Sequence, residues 1–234
     1  MTTAFMNSPS LSASSKPLVI FGAAEIAEIA WFYFTHDASF EIRAFAVDAK
    51  FLREDTFCGL PVVPFEEVQT QFPPASHDLF VAVSYAQLNR LRAERCAQAK
   101  AKGYALRSYV SSKATVWPDL ALGENCFILE DNTVQPFVRI GHNVTLWCGN
   151  HVGHHSRIAD NCFITSHVVI SGGVEIGSNT FVGVNATIRD HVRIGSNAVL
   201  GAGAIVTQDV PDEAVMVQPA AERSKVPSSK LRRL

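Results

Sequence analysis

Three of the chain's eight histidines fall within five residues, His151, His154 and His155, in the stretch NHVGHHSRI from Asn150 to Ile158. Imidazole changes charge near neutral pH, so such a cluster can ligate a metal, carry a proton in catalysis or form a polar surface. The local letters leave all three open. The five cysteines, Cys58, Cys96, Cys126, Cys148 and Cys162, are scattered and contain no CxxC pair. They predict reduced thiols in a cytoplasm and no cysteine-held metal.

The elements that must position the histidines are read from a repeat. Valine, leucine or isoleucine recurs every sixth residue from Val116 to Val206, sixteen positions without a miss. Glycine often follows, as at Gly123, Gly141, Gly153, Gly177, Gly183, Gly195 and Gly201, and the position two before is mostly small or β-branched. A strict period of six is the mark of a parallel β-helix, in which each short strand sends one large apolar side chain inward to stack on its neighbours.

The first half reads differently. LVIFG (Leu18 to Gly22), FEIRAFAVD (Phe40 to Asp48), DLFVAVS (Asp78 to Ser84) and YALRSYV (Tyr104 to Val110) are strand-like. Between them AAEIAEIAWFYF and Ala86 to Gly103 carry helical patterns. This alternation predicts an α/β domain with a small parallel sheet of Rossmann-like type, with ligands beyond the strand ends near Gly22, Asp48 and Ser84. GAAEIA after the first strand has only its first glycine, so it is no dinucleotide fingerprint. The expected divisions are a disordered lead-in over 1–16, the α/β domain over 17–111, the β-helix over 112–210 and a tail over 211–234.

Bulk composition narrows the partners. A formal net charge of -2 with 18% charged residues gives no global attraction to polyanions, so no nucleic-acid partner is expected. KLRRL at the end reads as a solvated terminus. Residues 1–16 lack a basic start and an apolar core, so they form no secretory signal. No apolar run approaches the roughly 20 residues that cross a bilayer, and no membrane association is expected.

The hexad repeat resembles the hexapeptide-repeat acyltransferases, whose left-handed β-helix uses three hexads per triangular coil. On that basis the sixteen hexads make a little over five coils, about 25 Å tall at ~4.8 Å per strand. The order of α/β domain then uninterrupted β-helix, over 17 to about 220, resembles the sugar acyltransferases related to sialic acid O-acetyltransferase and the N-acetyltransferases of nucleotide-linked amino sugars. Aligning SGGVEIG, Ser171 to Gly177, puts that family's catalytic histidine on His154, with His155 in the position of its acidic residue.

The resemblance implies transfer of acetyl from acetyl-CoA to the amino group of a nucleotide-linked deoxy sugar for surface polysaccharide synthesis. His154 would act as general base, and the amides of Gly172 and Gly173 would be candidates for the oxyanion. It implies CoA contacts at Phe163, Gly172, Val184 and Ala202, and nucleotide-sugar contacts at Ala24, Glu25, Asp48, Ala49, Ser84 and Tyr85, beside Gly22. It also implies a cytoplasmic homotrimer with intersubunit sites. O-acetylation of a sugar hydroxyl and a non-catalytic sugar-nucleotide-binding β-helix are the alternatives. The sequence departs from the family at Glu25 and Ala27, where glycines are expected, and at Gln218 near the end. No metal is expected: His155 and His191 would stand two coils apart, about 10 Å, while ligands of one zinc lie about 2 Å from it.

Overall fold

The structure is a computed structural model and describes residues 16–221 and 223–230. The lead-in expected over 1–16 and the KLRRL end lie outside the described residues, except for Lys16 and Lys230.

The N-terminal half contains β1 (Leu18–Phe21), α1 (Glu25–His36), β2 (Ile42–Val47), a 3-10 turn (Ala49–Phe51), β3 (Thr56–Phe57), β4 (Leu60–Pro64), α2 (Val68–Gln71), β5 (Asp78–Val81) and α3 (Arg90–Ala101). The sheet order is β3-β4-β2-β1-β5, parallel except for the β3–β4 hairpin. β1 is buried along its whole length, which is why it reads as an unbroken apolar run rather than an alternation. α1 turns Ala27, Ala30 and Phe34 inward and carries Glu25 and Glu28 in its first turn, where carboxylates complement the helix dipole. α3 begins four residues later than expected. Gln87, Leu88 and Asn89 are all left-handed (φ 54, 51 and 64), which is incompatible with helix, so the first helical residue is Arg90.

From Tyr109 the chain winds into a left-handed parallel β-helix of two-residue strands on three walls. The first wall carries Phe127–Ile128, Thr145–Leu146, Phe163–Ile164, Phe181–Val182 and Val199–Leu200. The second carries Thr133–Val134, His151–Val152, Val169–Ile170, Thr187–Ile188 and Ile205–Val206. The third carries Ala121–Leu122, Arg139–Ile140, Arg157–Ile158, Glu175–Ile176 and Arg193–Ile194. Partners among these strands are 18 residues apart, as in His151↔Val169, so three hexads close one coil; the last turn is two residues shorter, with Val210 beside Ile194 and Val215 beside Val199. The second residue of each strand points inward and forms the core with the residue two before it, as Val138 and Ile140 or Cys162 and Ile164 do. Asn132 and Asn150 occupy two of those inward positions and are buried, their amides spent on the carbonyls of Leu129 and Trp147.

The corners obey a second rule. The third residue after each inward apolar residue from Leu122 to Leu200 has positive φ, and it is Asn, Asp, Gly or His at every such corner except Phe137. These are the residue types that tolerate the left-handed region. His155, His167 and His191 are therefore corner residues by backbone geometry.

YALRSYV does not form one strand. Leu106 makes a single parallel bridge to Leu79, whereas Tyr109–Val110 pairs with Phe127–Ile128 on the first wall. The two halves meet on that wall through one apolar cluster of Phe34, Phe80, Tyr109, Phe127 and Leu129. Polar latches flank it. Asp37 accepts hydrogen bonds from the Tyr109 hydroxyl (2.6 Å), the Ser112 amide (2.8 Å) and the Ser112 hydroxyl. Tyr33 donates to Glu130 Oε2 (2.5 Å). The buried guanidinium of Arg92 donates to Asn143 Oδ1 (2.8 Å), the Asn143 carbonyl (3.0 Å) and the Cys162 carbonyl (3.2 Å).

Candidate active site at a β-helix corner

The corner between the second and third walls stacks, coil by coil, Pro136–Phe137, His154–His155, Gly172–Gly173 and Asp190–His191. This order follows from the 18-residue register of Val134, Val152, Ile170 and Ile188. The glycine pair leaves a notch one coil high with two imidazoles entering it. A Cβ added at Gly172 would lie 2.7 Å from His154 Cε1 and 2.8 Å from its Nε2. One added at Gly173 would lie 2.5 Å from His191 Nδ1. His154 thus rises into the notch from one side and His191 descends from the other.

A glycine beneath an imidazole is not by itself the mark of a site, because His167 sits over Gly149 at another corner in the same way. His154 differs in its fixing. Its amide donates to Gln135 Oε1 (2.9 Å), its Nδ1 lies 3.1 Å from His155 Nδ1, and the two rings stand at 86°. His155 in turn lies against Phe137, with ring centroids 4.7 Å apart. Both histidines are exposed to solvent, as a group that meets substrate must be. The expectation that both glycine amides face an oxyanion is corrected. The Gly173 amide is spent on the His154 carbonyl (2.8 Å), while among the described residues the Gly172 amide has no backbone acceptor.

The residues expected to hold CoA do not converge within one chain. Phe163 is buried on the first wall between Trp147 and Phe181, with Tyr85 5.1 Å from it and the Arg92 guanidinium over its ring at 5.5 Å. Gly172 lies at the His154 corner. Val184, 43% exposed, and Ala202 stack at the corner between the first and second walls. The third wall carries a hollow of about 1100 Å³ lined by Arg139, Arg157, Glu175 and Arg193 together with Gly141 and Gly177.

The expected nucleotide-sugar residues cluster at the carboxyl ends of the parallel strands. Gly22 has φ +125, and a Cβ there would lie 2.7 Å from the Ala82 carbonyl oxygen, so glycine is required for β1 to leave the sheet beside β5. Ala24 and Glu25 open α1, where the Glu25 carboxylate would oppose a bound phosphate. Asp48 Oδ2 accepts from Arg95 (2.7 Å), and the Ala49 amide donates to Glu66 Oε2 (3.0 Å). Asp48, Ala49, Lys50, Glu66, Arg95 and Lys102 line a cavity of about 660 Å³. Ser84 and Tyr85 lie on the loop toward the first wall, with the Tyr85 ring 4.8 Å from Phe181. Arg95 and Glu66 come from segments whose letters gave no sign of a site. His191 joins the notch because residues 18 apart stack, which puts it over Gly173. No group of three or more His, Cys, Asp or Glu able to hold a metal ion occurs among the described residues. No helix there is long and apolar enough to cross a membrane.

This repeat architecture is similar to that of known transferases. The bacterial transferase hexapeptide (six repeats) family matches residues 137–172 and 173–208. The match lies within the β-helix, and the likenesses below extend over the α/β half as well. One similar solved structure is a histidine-to-asparagine variant of perosamine N-acetyltransferase from Caulobacter crescentus, in complex with CoA and GDP-perosamine. It is 26% identical with a TM-score of 0.77, over 86% of this chain and 93% of that one. The acetyltransferase domain of PglB from Neisseria gonorrhoeae FA1090 (21% identical, TM-score 0.60) and WeeI from Acinetobacter baumannii AYE (18%, 0.67) share the fold. Each likeness covers 86% of this chain and 96% of that protein. No curated protein matches by sequence.

Proposed function

We propose that the protein transfers the acetyl group of acetyl-CoA to the amino group of a nucleotide-linked sugar, with His154 as general base. The observation that carries this reading is the likeness, across both domains, to the perosamine N-acetyltransferase complex with CoA and GDP-perosamine. The chemistry fits the notch. As the amine nitrogen attacks the thioester carbonyl, the new C–N bond forms and the amine proton passes to His154 Nε2. The C–S bond then breaks and the sulfur leaves as thiolate. The Gly172 amide, which has no backbone acceptor among the described residues, is the candidate donor for the oxygen that gains charge. General-base action of this kind contributes roughly 10²- to 10⁴-fold.

The active form in this reading is a homotrimer with sites shared between neighbours. Asp48, Ser84 and Tyr85 belong to the domain that covers the first wall, whereas His154 stands at the vertex of the prism opposite that wall. A sugar nucleotide held by one chain therefore reaches the histidine of another more readily than its own. Val184 and Ala202 lie one corner away from His154, so CoA contacts at those residues likewise call for an adjacent chain. The column beside the site, Val169 with Ile205 (68% exposed), gives an apolar surface for such a contact. Cyclic closure is the common solution for identical subunits.

The test is a substrate panel with acetyl-CoA and nucleotide sugars carrying either an amine or only hydroxyls, with free thiol as the readout, run beside light scattering. Turnover confined to the amino sugars and a trimeric mass are expected. Turnover on hydroxyl sugars alone would replace N- by O-transfer. CoA binding without turnover on any sugar, or a monomeric mass, would overturn the reading.

A further inference from the structure

We infer that His155 is the positioning residue that makes His154 a base, by accepting a hydrogen bond from its Nδ1. This deepens the reading above and rests on it. The two Nδ1 atoms are 3.1 Å apart, a hydrogen-bond contact that requires one nitrogen to carry a proton and the other a lone pair. If His155 donates, His154 carries its proton on Nε2, the nitrogen over Gly172, and cannot accept another there. If His154 donates, its Nε2 is bare and faces the notch.

The reaction selects the second arrangement. Once Nε2 has taken the amine's proton, His154 bears protons on both nitrogens, and only the lone pair on His155 Nδ1 can meet its Nδ1–H. The bond becomes charge-assisted at that moment, so it is stronger late in proton transfer than before it. His155 thus needs no charge of its own to favour the transition state.

The corner is built to hold this acceptor still. His155 has φ 60, a conformation that fixes where its ring leaves the backbone, and the ring is covered by Phe137. Phe137 itself has φ 69 although it is bulky and 65% exposed, and every other left-handed corner from Asn125 to Gly203 uses Asn, Asp, Gly or His. A strained aromatic kept against solvent, in contact with His155, marks a position held for the ring it touches.

The corner conformation supplies a controlled pair of variants. His155→Gly and His155→Asn both suit positive φ, so both should fold, but only asparagine retains a side-chain oxygen acceptor. His155→Gly should lower kcat by roughly 10- to 100-fold with KM for both substrates little changed, and His155→Asn should recover most of that loss. In ¹⁵N-histidine spectra of the full-length protein with neutral imidazoles, the His154 signal, assigned by its loss in His154→Asn, should report a proton on Nδ1 and a bare Nε2. In His155→Gly it should shift toward the other tautomer.

Equal kcat for His155→Gly and the parent, or an unchanged His154 tautomer in that variant, would overturn the inference. So would an equal loss in both variants, which would mean the ring and not its acceptor matters. Retention of full turnover by His154→Asn would instead defeat the base assignment, so the two failures are distinguishable.

Discussion

Replacing Gly172 with alanine perturbs the site at one defined contact. Gly172 has no left-handed φ to lose, so an alanine there meets no backbone penalty. Its Cβ would stand 2.7 Å from His154 Cε1, whereas ordinary van der Waals contact begins at 3.4 Å, so the ring must move by about 0.7 Å. That movement falls on the nitrogen that faces the notch, and a misplacement near 1 Å costs about 10²-fold in rate, or about 2.7 kcal/mol of barrier. The expected result is a fall in kcat of about that size, with the melting temperature close to that of the parent. The assay is thiol release from acetyl-CoA under saturating sugar nucleotide. Gly153→Ala is the contrasting control, because its Cβ would fall 2.5 Å from the Gly172 nitrogen, a backbone atom that cannot swing aside. That variant should lose stability first. Undiminished kcat in Gly172→Ala would refute the idea that the glycine notch seats the His154 ring.

Other consequences follow from particular contacts. Arg92→Leu strands buried acceptors on Asn143 and Cys162 that the guanidinium now satisfies, and should cost about 2–4 kcal/mol in urea unfolding. Burial pushes the Asp37 carboxyl up, but hydrogen bonds from Ser112 and Tyr109 more than offset this and hold it below its ordinary value of 3.8. A carboxyl depressed in the folded state adds stability that is present above pH 3.8 and is lost as pH falls through the folded value. Melting curves should therefore show an acid-labile component below about pH 4 that shrinks in Asp37→Asn. Phe137→Asn relieves an aromatic residue in the left-handed region and should raise stability by about 1 kcal/mol while lowering kcat, the opposed signs marking strain kept for function.

The β-helix was legible because its constraint is local and repeated. A coil of three hexads admits one large inward side chain per strand, so Val116 to Val206 announce both the wall and the register. His154 could be aligned because Ser171 to Gly177 form a fixed stretch of that register. Its surroundings could not be read, because they come from other coils: Gln135 at its amide, Phe137 behind its partner and His191 across the notch lie 19, 17 and 37 residues away in sequence. The α/β half was read less completely. The Thr56–Pro64 hairpin was missed, since its strands are short and one carries two prolines. YALRSYV is an apolar run that could join either sheet, and the structure divides it between them, as the pairing of Tyr109 with Phe127 requires.

Proton removal by His154 is the step on which the proposed acetyl transfer depends. The most direct measurement is the intact mass of a nucleotide-linked amino sugar after incubation with acetyl-CoA and either the parent protein or a folded, CoA-binding His154→Asn variant. One added acetyl group is expected with the parent, and a rate lower by roughly 10²- to 10⁴-fold with the variant. Equal acetylation by the two proteins would contradict proton removal by His154.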